Sequence, residues 1–248
     1  MTKAVKMTKL EAIRRVLADN GGAANWGIIY DNVEKYYPAA KQSDAWKAGV
    51  RGILYREIQE GGTIKKIGLG SFALANYQEE KPPARDNKIR MHSFIEGICL
   101  ELGNFKDFET YTADPSAVFR DNIKLGNLTS LKKLPEFTYP EIVSEAKKID
   151  VVWLNKKGFR FPQKVFEIVD SASTLTGAFN RSLQLLNFRT EYYIIAPEKH
   201  KAKFDNKIKL APYNSNAEKF KFVNYNQIIK LYENTVKTNK MEGEIFSF

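Results

Sequence analysis

Two acids stand where an apolar strand usually has none. Glu167 lies in the middle of KVFEIVDS, a run that otherwise reads as a buried strand. Asp150 opens IDVVWLN, a second such run, 17 residues earlier. A buried carboxylate is costly unless it is paired or binds metal. With a turn at about Gly158 the two runs make an antiparallel pair, and both acids fall at about the same height of the ladder. Side chains opposed on one sheet face can share a divalent cation. The spacing therefore predicts Mg²⁺ held between Asp150 and Glu167. The alternative is that Asp150 caps a strand end and Glu167 pairs with a nearby Lys or Arg.

Other chemistries lack their residues. The chain has two histidines, His92 and His200, and one cysteine, Cys99. That is too few for a structural zinc site, which needs about four Cys/His ligands. No Ser-His-Asp arrangement and no Gly-rich phosphate loop is suggested. Cys99 reads as a small buried apolar residue, and one cysteine fits a reducing compartment. No run approaches the roughly 20 apolar residues of a membrane helix. MTKAVKMTKLEAIRR lacks the apolar core of a signal peptide, so a cytoplasmic protein is expected.

The elements that must position the two acids fill residues 91–248. MHSFIEGICLELGNF repeats Phe94, Ile95, Ile98 and Leu102 at helical spacing. Residues 105–140 are turn-rich and take no assignment. A short helix, PEIVSEAKK, precedes IDVVWLN. The turn KKGFRFPQ leads to KVFEIVDS, and a helix over about 174–188 follows. Then come the strand TEYYIIAP, a charged helical stretch to about Leu210, the strand FKFVN and the closing helix YNQIIKLYENTVK. The first two strands are close enough for a hairpin, and the later ones, joined by helices, should pair in parallel. An α/β fold with a mixed (α+β) sheet and helices on its faces is expected.

Residues 1–75 read as a separate domain, and NYQEEKPPARDNKIR, residues 76–90, as a linker with Pro82-Pro83 in it. Thr8 and Glu11 form a capping box before a helix over 8–20, and Asn20-Gly21-Gly22 ends it. A second helix is expected over Asn25–Tyr37 and a third after Ser43, an N-cap. TIKKIGLGSFAL reads as a hairpin. Three helices and a hairpin make a winged helix-turn-helix layout, with the third helix in the major groove of DNA. Lys47, Arg51, Tyr55 and Arg56 then face the groove, and Lys65 and Lys66 touch phosphate from the wing. The alternative is a solvated helix face and a solvated turn. A net charge of +10 agrees with an anionic partner. Residues 1–90 hold 16 Lys+Arg against 10 Asp+Glu, and residues 91–248 hold 23 against 19, so the smaller segment is the more densely basic.

The acid of KKIDVVWLN, the pattern KVFEIVDSAS-LTGAFNRSLQL and the following FRTEYYIIAPE resemble the PD-(D/E)xK nuclease superfamily, and within it type II restriction endonucleases with an N-terminal winged helix. The resemblance covers roughly residues 91–235. It implies a restriction-endonuclease-like core that hydrolyses double-stranded DNA with Mg²⁺. Asp150 and Glu167 would be metal ligands, joined by Glu96 from the first helix of the segment rather than by Glu101. Arg181 and Gln184, on the helix after the Glu strand, would lie near the phosphate. One departure stands out: the superfamily's Lys, two residues after the Glu, is Val169 here. Another group substitutes, or the metal alone activates water, or the domain only binds DNA. Lys164 and Asp170 should point to the other face of a regular strand. A symmetric target would imply a homodimer. The rivals are a winged-helix regulator with a degenerate nuclease fold and a non-specific repair or processing nuclease.

Overall fold

The computed structural model describes residues 7–78, 88–121 and 123–245. Most of the expected linker, residues 79–87, lies outside the described residues. The chain forms two compact units that are not contiguous in sequence. One comprises residues 1–81, 120–123 and 238–248, the other 82–119 and 124–237.

The first unit opens with α1 (Lys9–Asp19), capped by Thr8, whose side chain accepts from the Glu11 N–H while Glu11 reaches back to the Thr8 N–H. The strand β1 (Ala23–Asn25) and α2 (Trp26–Tyr36) follow, the Asn25 side chain accepting from the Ile28 N–H. The next helix, α3 (Trp46–Gln59), starts three residues after Ser43, with Ala45 in the cap position. Ser43 is thus not the cap: it sits in the preceding turn, where its carbonyl accepts from the Trp46 N–H. A hairpin, β2 (Ile64–Lys66) and β3 (Ser71–Leu74), completes the unit, and β1 joins it as a third strand in the antiparallel order β1-β3-β2. Ile13, Leu17, Ile29, Val33, Val50, Leu54 and Phe72 form its core.

The second unit begins with α4 (Lys88–Phe105), whose length from Ser93 to Gly103 is buried. The turn-rich region resolves into β4 (Glu109–Thr112), the hairpin β5 (Val118–Arg120) and β6 (Ile123–Lys124), and the single turn α5 (Leu125–Leu128). After α6 (Pro140–Ala146) come β7 (Val151–Leu154), β8 (Pro162–Ile168) and α7 (Leu175–Leu183). Then come β9 (Glu191–Ala196), α8 (Lys201–Lys207), β10 (Phe220–Asn224) and α9 (Tyr225–Ile245), whose residues from 238 on count with the first unit.

Its sheet has five strands in the order β10-β9-β8-β7-β4. The pairs β4–β7 and β7–β8 are antiparallel, and β8–β9 and β9–β10 are parallel. This is the mixed α/β sheet expected, with β4 added at one edge. Helix and sheet approach closely where α4 meets β7. The Trp153 indole donates to the Cys99 carbonyl at 3.1 Å, and a Cβ on Gly103 would lie 2.6 Å from Trp153 Nε1. Only glycine there lets the helix come near enough to hold its side chains against the end of the hairpin.

Candidate active site

In the β7–β8 ladder Val151 pairs with Phe166, so the next step sets Asp150 opposite Glu167 on one face. Asp150 stands just before β7, and its Oδ2 accepts from the Ile168 N–H at 2.6 Å. That bond fixes the carboxylate across the top of the hairpin. Lys164 points to the opposite face, as its parity requires, and lies 3.0 Å from Glu191.

Glu167 is 1% exposed and has its cation after all. Arg181, two turns into α7, grips it with both arms. Its Nε donates to Oε1 at 2.7 Å and its second nitrogen to Oε2. A fork of this kind is the strongest charged hydrogen bond a carboxylate makes. Glu167 was expected to hold metal with Asp150, or to pair with a nearby Lys or Arg, and Arg181 to lie near the phosphate; in the structure Glu167 and Arg181 pair with each other. The physical reason is helical geometry: the α7 face that buries Ala178, Phe179 and Ser182 turns Arg181 toward β8. Gln184 lies in a different groove, of about 530 Å³, with Glu141 and Glu145, and its side chain bonds the Asn180 carbonyl.

What gathers around Asp150 instead is α4. His92 and Glu96, four residues apart, lie on one helical face. One ligand atom each from His92, Glu96 and Asp150 lies within 4.8 Å of the others. Glu96 is 2% exposed. Asp170 also comes in: its Oδ2 is 3.3 Å from His92 Nδ1, and its Oδ1 accepts from the Tyr225 hydroxyl. The strand ends at Ile168, so the alternation that would have turned Asp170 away no longer applies. Glu101, on another face of α4, accepts from the Tyr232 hydroxyl.

His92, Asp150, Val169, Asp170, Ser171 and Arg181 are among the residues lining a cleft of about 240 Å³. Asp150 and Asp170 share that lining with His92 and Arg181, and Glu96 and Glu167 are buried next to them. Burial, then Asp150, pushes Glu96 up to about 8. Burial also pushes Glu167 up to about 8 in spite of Arg181. Asp150 is raised by burial, while His92 and the Ile168 N–H pull against it. Burial opposes charge on His92, but Asp170, Asp150 and Glu96 outweigh it and hold the imidazole up to about 9. Burial and like charges disfavour the ionised form of an acid, and a bound cation would favour it. Two carboxylates and an imidazole at this separation fit a divalent ion.

Sequence reasoning gave His92 and Tyr225 no role and turned Asp170 away by strand parity. Only His92 carried a signal, its four-residue spacing from Glu96. The partners lie 78 and 55 residues apart in the chain.

In the first unit, Lys47, Arg51, Tyr55 and Arg56 all sit on α3 and are exposed. Lys47 lies over the Tyr30 ring, and Arg51 donates to the Tyr30 hydroxyl at 3.4 Å. The hairpin lysines are half-buried and engaged by their own unit, Lys65 with the Tyr77 carbonyl at 2.7 Å and Lys66 with Asn239. Among the described residues no helix is long and apolar enough to cross a membrane.

The family model described as "Type II restriction enzyme NmeDI C-terminal domain" matches residues 74–247, well over half of the chain. No curated protein and no solved structure matches. The match spans α4, the mixed sheet and every residue of the cleft, and the chain belongs to this family of restriction-enzyme domains.

Proposed function

We propose that the protein is a site-specific endonuclease of double-stranded DNA, a type II restriction enzyme whose cleft hydrolyses a phosphodiester with Mg²⁺. The observation that carries this reading is the convergence of Asp150 with buried Glu96 and His92 at the edge of a cleft of a restriction-enzyme domain. The sheet resembles that of PD-(D/E)xK nucleases in having an acid at the start of one hairpin strand and a second acid opposite it. A bound cation would supply Lewis acidity and a water of lowered pKa. Asp150 and Glu96 would hold it, with Glu167 beside them. Val169 offers no charge at the usual Lys position, and Arg181 lines the same cleft. Its guanidinium suits a phosphate, so DNA and Glu167 compete for it.

The first unit, residues 1–75 in the main, has the order of a winged helix-turn-helix. Its α3 would lie in the major groove with Lys47, Arg51, Tyr55 and Arg56 toward the DNA. Lys65 and Lys66 would reach phosphate only by leaving Tyr77 and Asn239. A two-fold dimer would match a symmetric target.

The test is a gel of long mixed-sequence DNA incubated with the protein in Mg²⁺ or in EDTA. Discrete fragments that require Mg²⁺, lost in Asp150→Asn with DNA binding retained, are expected. A smear would indicate a non-specific nuclease. DNA that shifts but stays intact across sequences and base modifications would leave only the binding role.

A further inference from the structure

We infer that His92 is a nitrogen ligand of the cation in this cleft, oriented by Asp170 and Tyr225, and that the site therefore takes Mn²⁺ and other transition-metal ions in preference to Mg²⁺. The inference rests on the metal-centre reading above and adds the class of ion. Asp170 Oδ2 stands 3.3 Å from His92 Nδ1. An ionised carboxylate can only accept, so Nδ1 carries the hydrogen. When a metal ion binds, the ring gives up its other proton and the lone pair resides on Nε2, the atom 3.8 Å from Asp150 Oδ2. Asp170 is itself held, its Oδ1 by the Tyr225 hydroxyl and its backbone carbonyl 3.0 Å from His200 Nε2. A carboxylate behind an imidazole that faces the ion is the usual means of fixing a metal-binding histidine. Glu96, one helical turn along from His92, is 2% exposed and brings a carboxyl oxygen within 4.8 Å of the other two ligand atoms. Mg²⁺ keeps oxygen ligands and its waters, whereas imidazole favours transition metals.

The experiment is electron paramagnetic resonance of Mn²⁺ titrated into the full chain, with electron spin-echo modulation to detect nitrogen bonded to the ion. Expected are saturable Mn²⁺ binding, displaced only by an excess of Mg²⁺ of about tenfold or more, and ¹⁴N modulation that changes on labelling with ¹⁵N-histidine. His200→Gln should keep the modulation and His92→Gln should lose it. Asp170→Asn should keep the modulation while weakening Mn²⁺ by about 10–100-fold, as for other groups behind a ligand. Bound Mn²⁺ without histidine modulation, or equal affinity for Mg²⁺, would overturn the inference and leave an all-carboxylate metal centre standing. Mn²⁺ that does not bind at all would remove the metal centre itself.

Discussion

Replacing Glu96 with Gln should make the cation-free protein more stable at about pH 8, the reverse of what a buried polar substitution usually does. Glu96 lies against Asp150 and His92 with 2% of its surface exposed, and its carboxyl is raised from 4.5 to about 8. A raised acid pKa means that the folded chain holds the proton more tightly than the unfolded one. Between pH 4.5 and about 8 the unfolded chain has released it and the folded chain has not, so stability falls as pH rises through that window. At about 1.4 kcal/mol for each pH unit, the span sets a ceiling of about 5 kcal/mol. Losing the attraction of His92 for the carboxylate reduces this, so a gain of about 2 kcal/mol is expected for Gln at about pH 8 and almost none at about pH 5. The assay is urea unfolding in EDTA, followed by circular dichroism across that range. Added divalent ion should reverse the order, stabilising the parent and not the variant. A Glu96→Gln protein no more stable than its parent at about pH 8 in EDTA would refute the reasoning.

Three further outcomes follow from the same geometry. Arg181→Met leaves Glu167 buried without its cation and should cost about 3 kcal/mol, the lower end for a broken buried pair because Arg181 is 29% exposed. Adding Glu167→Gln should recover most of it, which a double-mutant cycle by urea unfolding measures. Gly103→Ala drives a methyl into Trp153 and Thr110 and should cost about 1–3 kcal/mol. It should also weaken divalent-ion binding in a calorimetric titration, because α4 must move off β7. Lys47→Ala with Arg51→Ala should lower the salt slope of DNA binding by about 2 in a filter or anisotropy titration if both contact phosphate.

The elements that proved legible are those whose signal is local. The Thr8–Glu11 box spans three residues, and the hairpin around Gly158 set Asp150 against Glu167 because antiparallel pairing counts outward from a turn. The edge strand β4 was not legible, since its buried residues are Thr110 and Thr112 rather than apolar ones. Their hydroxyls are satisfied by the Asn104 side chain and the Asp150 carbonyl, partners found only once the chain is folded. For the same reason, the sequence suggested an acid in a strand but not which cation answers it. Arg181 sits 14 residues beyond Glu167, and its direction depends on how α7 packs. Asp170 was judged by the period of a strand that stops two residues earlier. His92 showed nothing beyond its spacing from Glu96.

The Tyr225–Asp170 bond carries a consequence for how the protein is made. The cleft draws His92 and Glu96 from one end of the second unit, Asp150 and Asp170 from its middle, and Tyr225 from the start of the last helix. Contacts so far apart in the chain form late, after the loops between them have closed. On the ribosome, a chain not yet extended to Tyr225 has no hydroxyl to hold Asp170 and so no fixed imidazole. Whatever the cleft does to DNA, it becomes able to do it only once Tyr225 has joined the fold.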